Sequence, residues 1–108
     1  MRAVYFQRGE ALGYTPTEDT KAGQVVALGT RIGVAASDIP ANELGNVHVV
    51  GVFSMTKAEG EELAQGAAVY YDSAAEAITA TADGNTPAGY AASPAAATAA
   101  TVMVKLLG

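Results

Sequence analysis

"RIGVAAS" at Arg31–Ser37 returns, little altered, as "PAGYAAS" at Pro87–Ser93. The surroundings repeat as well. "AGQVVAL" at Ala22–Leu28 aligns with "QGAAVYY" at Gln65–Tyr71 around Gly23 and Gly66, and each phrase leads through a small or polar connector to an apolar segment, "VHVVGVF" or "TVMVKLL". Gly33 lies 14 positions before Val47, and Gly89 lies 13 before Val102. Each half therefore has the order strand, strand, connector, strand. Glycine inside a strand marks a close approach of backbone or a bend at a sheet corner, and the alanines beside Gly33 and Gly89 keep that neighbourhood thin. Three successive blocks in one order predict a mainly β protein: a small pseudo-symmetric β-sandwich or barrel with at most one short helix near residues 56–64. The whole of 1–108 reads as a single domain, with related halves at about 22–54 and 65–107 and residues 1–20 as a possible arm.

Working outward, β-branched residues and two-residue alternation dominate. "VHVVGVFS" at Val47–Ser54 reads as the strongest strand, with Val47, Val49, Gly51 and Phe53 on one face and His48, Val50, Val52 and Ser54 on the other. "AVYF" at Ala3–Phe6 is a short strand candidate, and Pro16 marks an edge or an end, since proline gives no donor to a ladder. "AVYYD" at Ala68–Asp72 and "AITAT" at Ala77–Thr81 form a hairpin around "SAAE", and "DGN" at Asp83–Asn85 is a turn. Thr56 with Glu59 can write a capping box, the one helical hint, weakened by Gly60. "PAAATAA" at Pro94–Ala100 lacks a large apolar anchor and reads as a loop or single turn.

Composition narrows the function class. The chain holds 24 alanines against five Tyr, two Phe and no Trp, so its core is built from small side chains. At about 25 cal/mol per Å² of apolar surface, such a core stabilises a monomer weakly, and oligomerisation is one standard remedy. The net charge is −5, and the six basic residues are scattered, which argues against a nucleic-acid partner. No cysteine is present, so there is no disulfide framework, thiolate nucleophile or zinc knuckle. No apolar run reaches the roughly 20 residues of a transmembrane helix, and the opening residues lack a secretory h-region; neither a membrane nor an export signal is expected.

No catalytic chemistry announces itself. His48 is the single histidine and sits in an apolar strand; pairing with Ser54 or Ser37 would make a hydrolase conceivable, but no nucleophile-elbow pattern surrounds any serine. Glu59, Glu61 and Glu62, and the pair Glu18 and Asp19, read as solvated faces rather than acid–base pairs. None of the lysines follows a glycine, so no P-loop can be written. The expectation is no enzyme, no metal and no cofactor. Tyr70 and Tyr71 are adjacent on a strand, one pointing to the core and the other available as an interface anchor.

The blocks "AGQVVALGTRIGVAASDIPANELGNVHVVGVFSMTKA" and "AQGAAVYYDSAAEAITATADGNTPAGYAAS…ATVMVKL" resemble the capsid cement, or head decoration, proteins of tailed bacteriophages, over Ala22 to about Leu107. The resemblance implies a structural virion protein, made in the bacterial host cytoplasm, that sits on the outer surface of the phage head as a homotrimer. There it would bridge subunits of the major capsid protein and stabilise the shell. Possible capsid or subunit contacts are Arg2, Val4, Tyr5 and Phe6, aromatic and basic beside an alanine-rich body, together with Tyr70 and Tyr71. A strand in the protomer's own sheet is the other reading of Ala3–Phe6. A small spike, fibre or carbohydrate- or receptor-binding module is the alternative function, with Tyr70, Tyr71 and Tyr90 as stacking groups.

Overall fold

The computed structural model describes residues 1–107. It contains nine strands and, among the described residues, no helix: β1 (Ala11–Tyr14), β2 (Val25–Ala27), β3 (Ile32–Ala35), β4 (Gly45–His48), β5 (Val52–Thr56), β6 (Ala68–Asp72), β7 (Ala77–Thr79), β8 (Thr86–Ala91) and β9 (Thr101–Leu106). They form two antiparallel sheets, one of order β1-β4-β3-β2 and one of order β5-β9-β8-β6-β7. The mainly β, sandwich-like expectation is met.

The second sheet repeats the first strand for strand, with β7 added at its edge. Val26 lies opposite Gly33 and Val69 opposite Gly89; Ala35 lies opposite Val47 and Ala91 opposite Val104. The bonds outside the strands repeat too. The Gly23 and Gly66 amides donate to the carbonyls of Ala35 and Ala91, both at 2.8 Å, and the Ala35 and Ala91 amides donate to Gln24 and Ala67, both at 2.9 Å. Isolated bridges join Thr20 to Ile39 and Leu63 to Ala95. This ladder sets Val47 beside Val104, two residues later than the spacing to Val102 suggests. It also adds a pair invisible in the sequence: β1 on β4 matches β5 on β9, Ala11 opposite His48 and Val52 opposite Lys105.

The strongest apolar run is not one strand. Val47–Ser54 divides after His48, and the chain passes through Val49, Val50 and Gly51 into the other sheet. Gly51 takes φ +127°, which an L side chain rarely adopts, so the glycine makes the crossing. The alternation of buried positions survives the break, although Val47 and Val49 enter one cluster and Met55 the other. Gly89 has φ +146°, and a methyl group there would overlap the Lys105 carbonyl; at Gly33 a methyl would meet the Val47 side chain at 3.1 Å. Close approach of backbone is thus the role of the repeated glycines, and Gly89 bears the tighter one.

Residues 56–64 form no helix. Lys57 is drawn into a bridge with Ile78, Leu63 into one with Ala95, and Gly60 takes φ +76°, which together leave a single turn at residues 59–60 where a capping box could begin. Ala3–Phe6 forms no strand; residues 1–8 are all exposed and the first strand starts at Ala11. The β6–β7 hairpin turns through residues 73–76, where the Asp72 carboxylate accepts the amides of Ala74 and Ala75. Residues 94–100 form a connector with no strand or helix of their own.

The main core lies on the inner face of the second sheet: Met55, Leu63, Val69, Ile78, Ala91, Val102, Val104 and Leu106, joined by Ile32 and Val34 from the first sheet. A smaller cluster of Val26, Val47 and Val49 occupies the opposite face of the first sheet, backed by Tyr14 and Leu28. Each fully buried Val or Leu in these clusters contributes about 1.5–3 kcal/mol relative to exposure.

Candidate binding surfaces

The first nine residues are the most apolar exposed segment of the molecule. Met1, Val4, Tyr5 and Phe6 are almost wholly solvent-exposed, and Arg2 and Arg8 flank them. Their fixed contacts are local: the Gln7 amide donates to the Ala11 carbonyl at 3.2 Å, and Arg8 lies 3.7 Å from the Glu10 carboxylate. The segment carries two basic residues and no acidic one, so the remaining chain holds four basic residues against all eleven acidic ones. A basic, aromatic arm thus leads into a body of formal charge −7.

Tyr70 and Tyr71 lie on the other sheet, away from the arm's strand, and both are half-buried. A register shift between Val69 and Tyr70 disturbs simple alternation, so neither ring is fully inside or fully out. Tyr71 packs against the main core. Burial, with Glu76 and Asp72 adding negative charge, pushes its hydroxyl above the ordinary tyrosine range.

His48 faces a cleft of about 580 Å³ between the two sheets, lined also by Val25, Val34, Phe53, Ser54, Tyr71 and Glu76. Its ring sits 6.0 Å from that of Phe53 at a 34° tilt. Among the described residues no hydrogen bond links His48 to Ser54, Ser37 or a carboxylate, and no group of three or more His, Asp or Glu could hold a metal. The cleft contains no assembled nucleophile and base.

Two polar residues that the sequence reading passed over do structural work. Lys57 is 3% exposed, and its side-chain nitrogen donates to the carbonyls of Ala58 at 2.8 Å, Glu61 at 2.6 Å and Ala97 at 3.4 Å. The signal was the inward alternation Phe53, Met55, Lys57, which continues three residues past Ser54, the end of the strand expected from sequence. Glu61 is not part of a free acidic face: its carboxylate accepts the Thr79 hydroxyl at 2.8 and 3.0 Å and the Ala80 amide at 2.8 Å. Those backbone and hydroxyl donors, against some desolvation and helped by Lys57, hold its carboxyl below the usual range. Glu59 and Glu62 are exposed.

The sequence profile of the phage cement protein family matches residues 6–106. The chain belongs to that family. It is therefore a bacteriophage structural protein and a component of the virion capsid. No curated protein and no solved structure matches it.

Proposed function

We propose that this cement protein binds the exterior of an assembled phage head as a homotrimer and stabilises it by bridging major capsid protein subunits, with the residue 1–8 arm as the principal capsid contact. The supporting observation is the arm itself: Val4, Tyr5 and Phe6 expose apolar and aromatic surface that the chain's own sheets leave uncovered. Apolar area of this kind is gained only when a partner covers it. Binding to the closed shell but not to dissociated subunits shifts the equilibrium toward the shell by mass action.

Purified protein mixed with undecorated heads should bind to saturation at a fixed ratio and raise the temperature at which the heads lose their DNA. A chain lacking residues 1–7 should fold normally and fail to bind. Full binding by the truncated chain would remove the arm from this role, and binding to host cells in place of heads would favour the spike or receptor-module reading.

A further inference from the structure

We infer that the arm of one copy pairs as an added strand on the open edge of β5 in the next, and that this contact ties copies of the protein together in solution. The inference names the surface behind the self-association proposed above and rests on that reading. On a head the arm leaves this edge for the capsid.

β5 is an edge strand whose ladder runs to β9 alone. The Leu106 amide donates to the Gly51 carbonyl at 3.0 Å and the Lys57 amide to the Ala100 carbonyl at 2.9 Å. The bonds to β9 therefore fall at every second residue, on Gly51, Phe53, Met55 and Lys57, and the backbone groups of Val52 and Ser54 point away from it. At one end of β5 that far side is closed, because Lys57 bridges Ile78 and the Ala58 amide donates to the Ile78 carbonyl at 2.8 Å. β7 begins only at Ala77, so alongside Val52–Met55 it has given way to the hairpin turn, and no strand of the chain covers the edge. The second sheet nearly closes on itself at Lys57 and parts toward Val52. That parting opens into the cleft of about 580 Å³ beside His48. Phe53, Ser54, Met55 and Thr56 all line the cleft, inward- and outward-facing residues alike, as the edge of a strand does and its face does not.

An open apolar edge is a template for a further strand, and this chain carries one that it does not use. Ala3–Phe6 has the residues of a strand yet pairs with nothing in its own chain. It is four residues long, as is the open stretch Val52–Met55. Both of its faces are apolar, Val4 with Phe6 and Ala3 with Tyr5. On β5 one face would enter the cleft against Val25, Val34 and Phe53, and the other would lie beside Val52, which is 50% exposed. Charge favours the same match. Arg2 and Arg8 flank the arm's strand, and Glu76, at the cleft, forms no salt bridge among the described residues. Main-chain bonds give an added strand its affinity, and pockets for alternate side chains give its specificity. Arm and edge are different patches, so the contact is heterologous: it passes from copy to copy and closes into a ring when the rotation allows.

Light scattering on the full chain tests the contact. The wild type should be oligomeric, and an excess of a synthetic peptide of residues 1–8 should reduce it to monomers. Ser54→Pro removes an amide that faces the open edge and leaves the β9 ladder whole, while Val4→Pro with Tyr5→Pro spoils the arm. Each variant should be monomeric with wild-type circular dichroism. An equal mixture of the two should form a two-chain complex, because one keeps its arm and the other its edge. If Ser54→Pro fails to fold, Val52→Pro, on the same open side, replaces it; the arm variant leaves the body untouched. A monomeric wild type, an oligomer that survives the peptide or either variant, or a mixture that stays monomeric would each overturn the contact. Head binding is scored separately. Failure of the contact in a chain that still decorates heads sinks this inference alone, and an arm-tied oligomer that ignores heads sinks the proposed function alone.

Discussion

The first and second sheets share a backbone plan but differ in what fills it. In the first, Val26, Val47 and Val49 make a small cluster backed by Tyr14 and Leu28; in the second, the matching Val69, Val104 and Leu106 stand inside the main core. Pro16 in the first half stands where Lys57 stands in the second, by continuation of the β1 and β5 register, and exposed Glu18, two residues before the Thr20 bridge, stands where bonded Glu61 precedes the Leu63 bridge. The extra hairpin strand β7 explains much of this, since Thr79 and Ala80 supply the donors that engage Glu61. A repeated frame is therefore compatible with unequal stability, and the inequality can be measured position by position.

The largest contrast is expected at the paired glycines. Gly89→Ala combines positive φ with overlap of the Lys105 carbonyl and should cost roughly 3 kcal/mol or more in urea unfolding. Gly33→Ala meets the Val47 side chain at 3.1 Å and the His48 carbonyl at 3.3 Å, which need give by only a few tenths of an ångström, and should cost about 1 kcal/mol. Equal losses would mean that the two bends are equally tight.

Next in size is Lys57→Ala, which removes a buried side chain and strips three half-buried carbonyls of a donor, and should lower stability by about 2–3 kcal/mol. Pro16→Ala, at the matching place, relaxes a backbone restraint and trims a buried ring but orphans no polar group, and should cost about 1 kcal/mol. Thermal denaturation of the two variants side by side decides the comparison. Val104→Ala, deep in the main core, should cost about 2 kcal/mol, and Val47→Ala, where loops can settle into the gap, about 1 kcal/mol.

The smallest effect depends on pH. The folded Glu61 carboxyl titrates below its ordinary value of 4.5, so the unfolded chain binds its proton first on acidification. The stability it contributes is present above that value and is lost as pH falls through the folded pKa. Urea midpoints taken from neutrality down to about pH 3 should therefore drop less in Glu61→Gln than in wild type.

Much of the frame was legible because small residues were repeated at constrained places. Gly33, Gly89 and the alanines after them are dictated by backbone approach, so they recur and can be seen. The match of β1 with β5 was hidden, because "ALGY" and "VFSM" share a register but no residue. The break after His48 was hidden as well: an apolar run keeps its alternation through a change of sheet, and only Gly51 hints at the turn. Arg2, Val4, Tyr5 and Phe6 stood out by their chemistry, whereas Lys57 and Glu61 were masked by polar neighbours and acquire partners only from residues far along the chain.

No strand of either sheet is borrowed from the other: residues 11–48 supply the first and residues 52–106 the second. A chain emerging from the ribosome can thus finish one ladder before the next begins to appear. Every backbone pairing is closed within a span of about half the molecule, which keeps the loops that must close short and the closure entropy low. Such an order of synthesis leaves few unpaired edges waiting for distant partners.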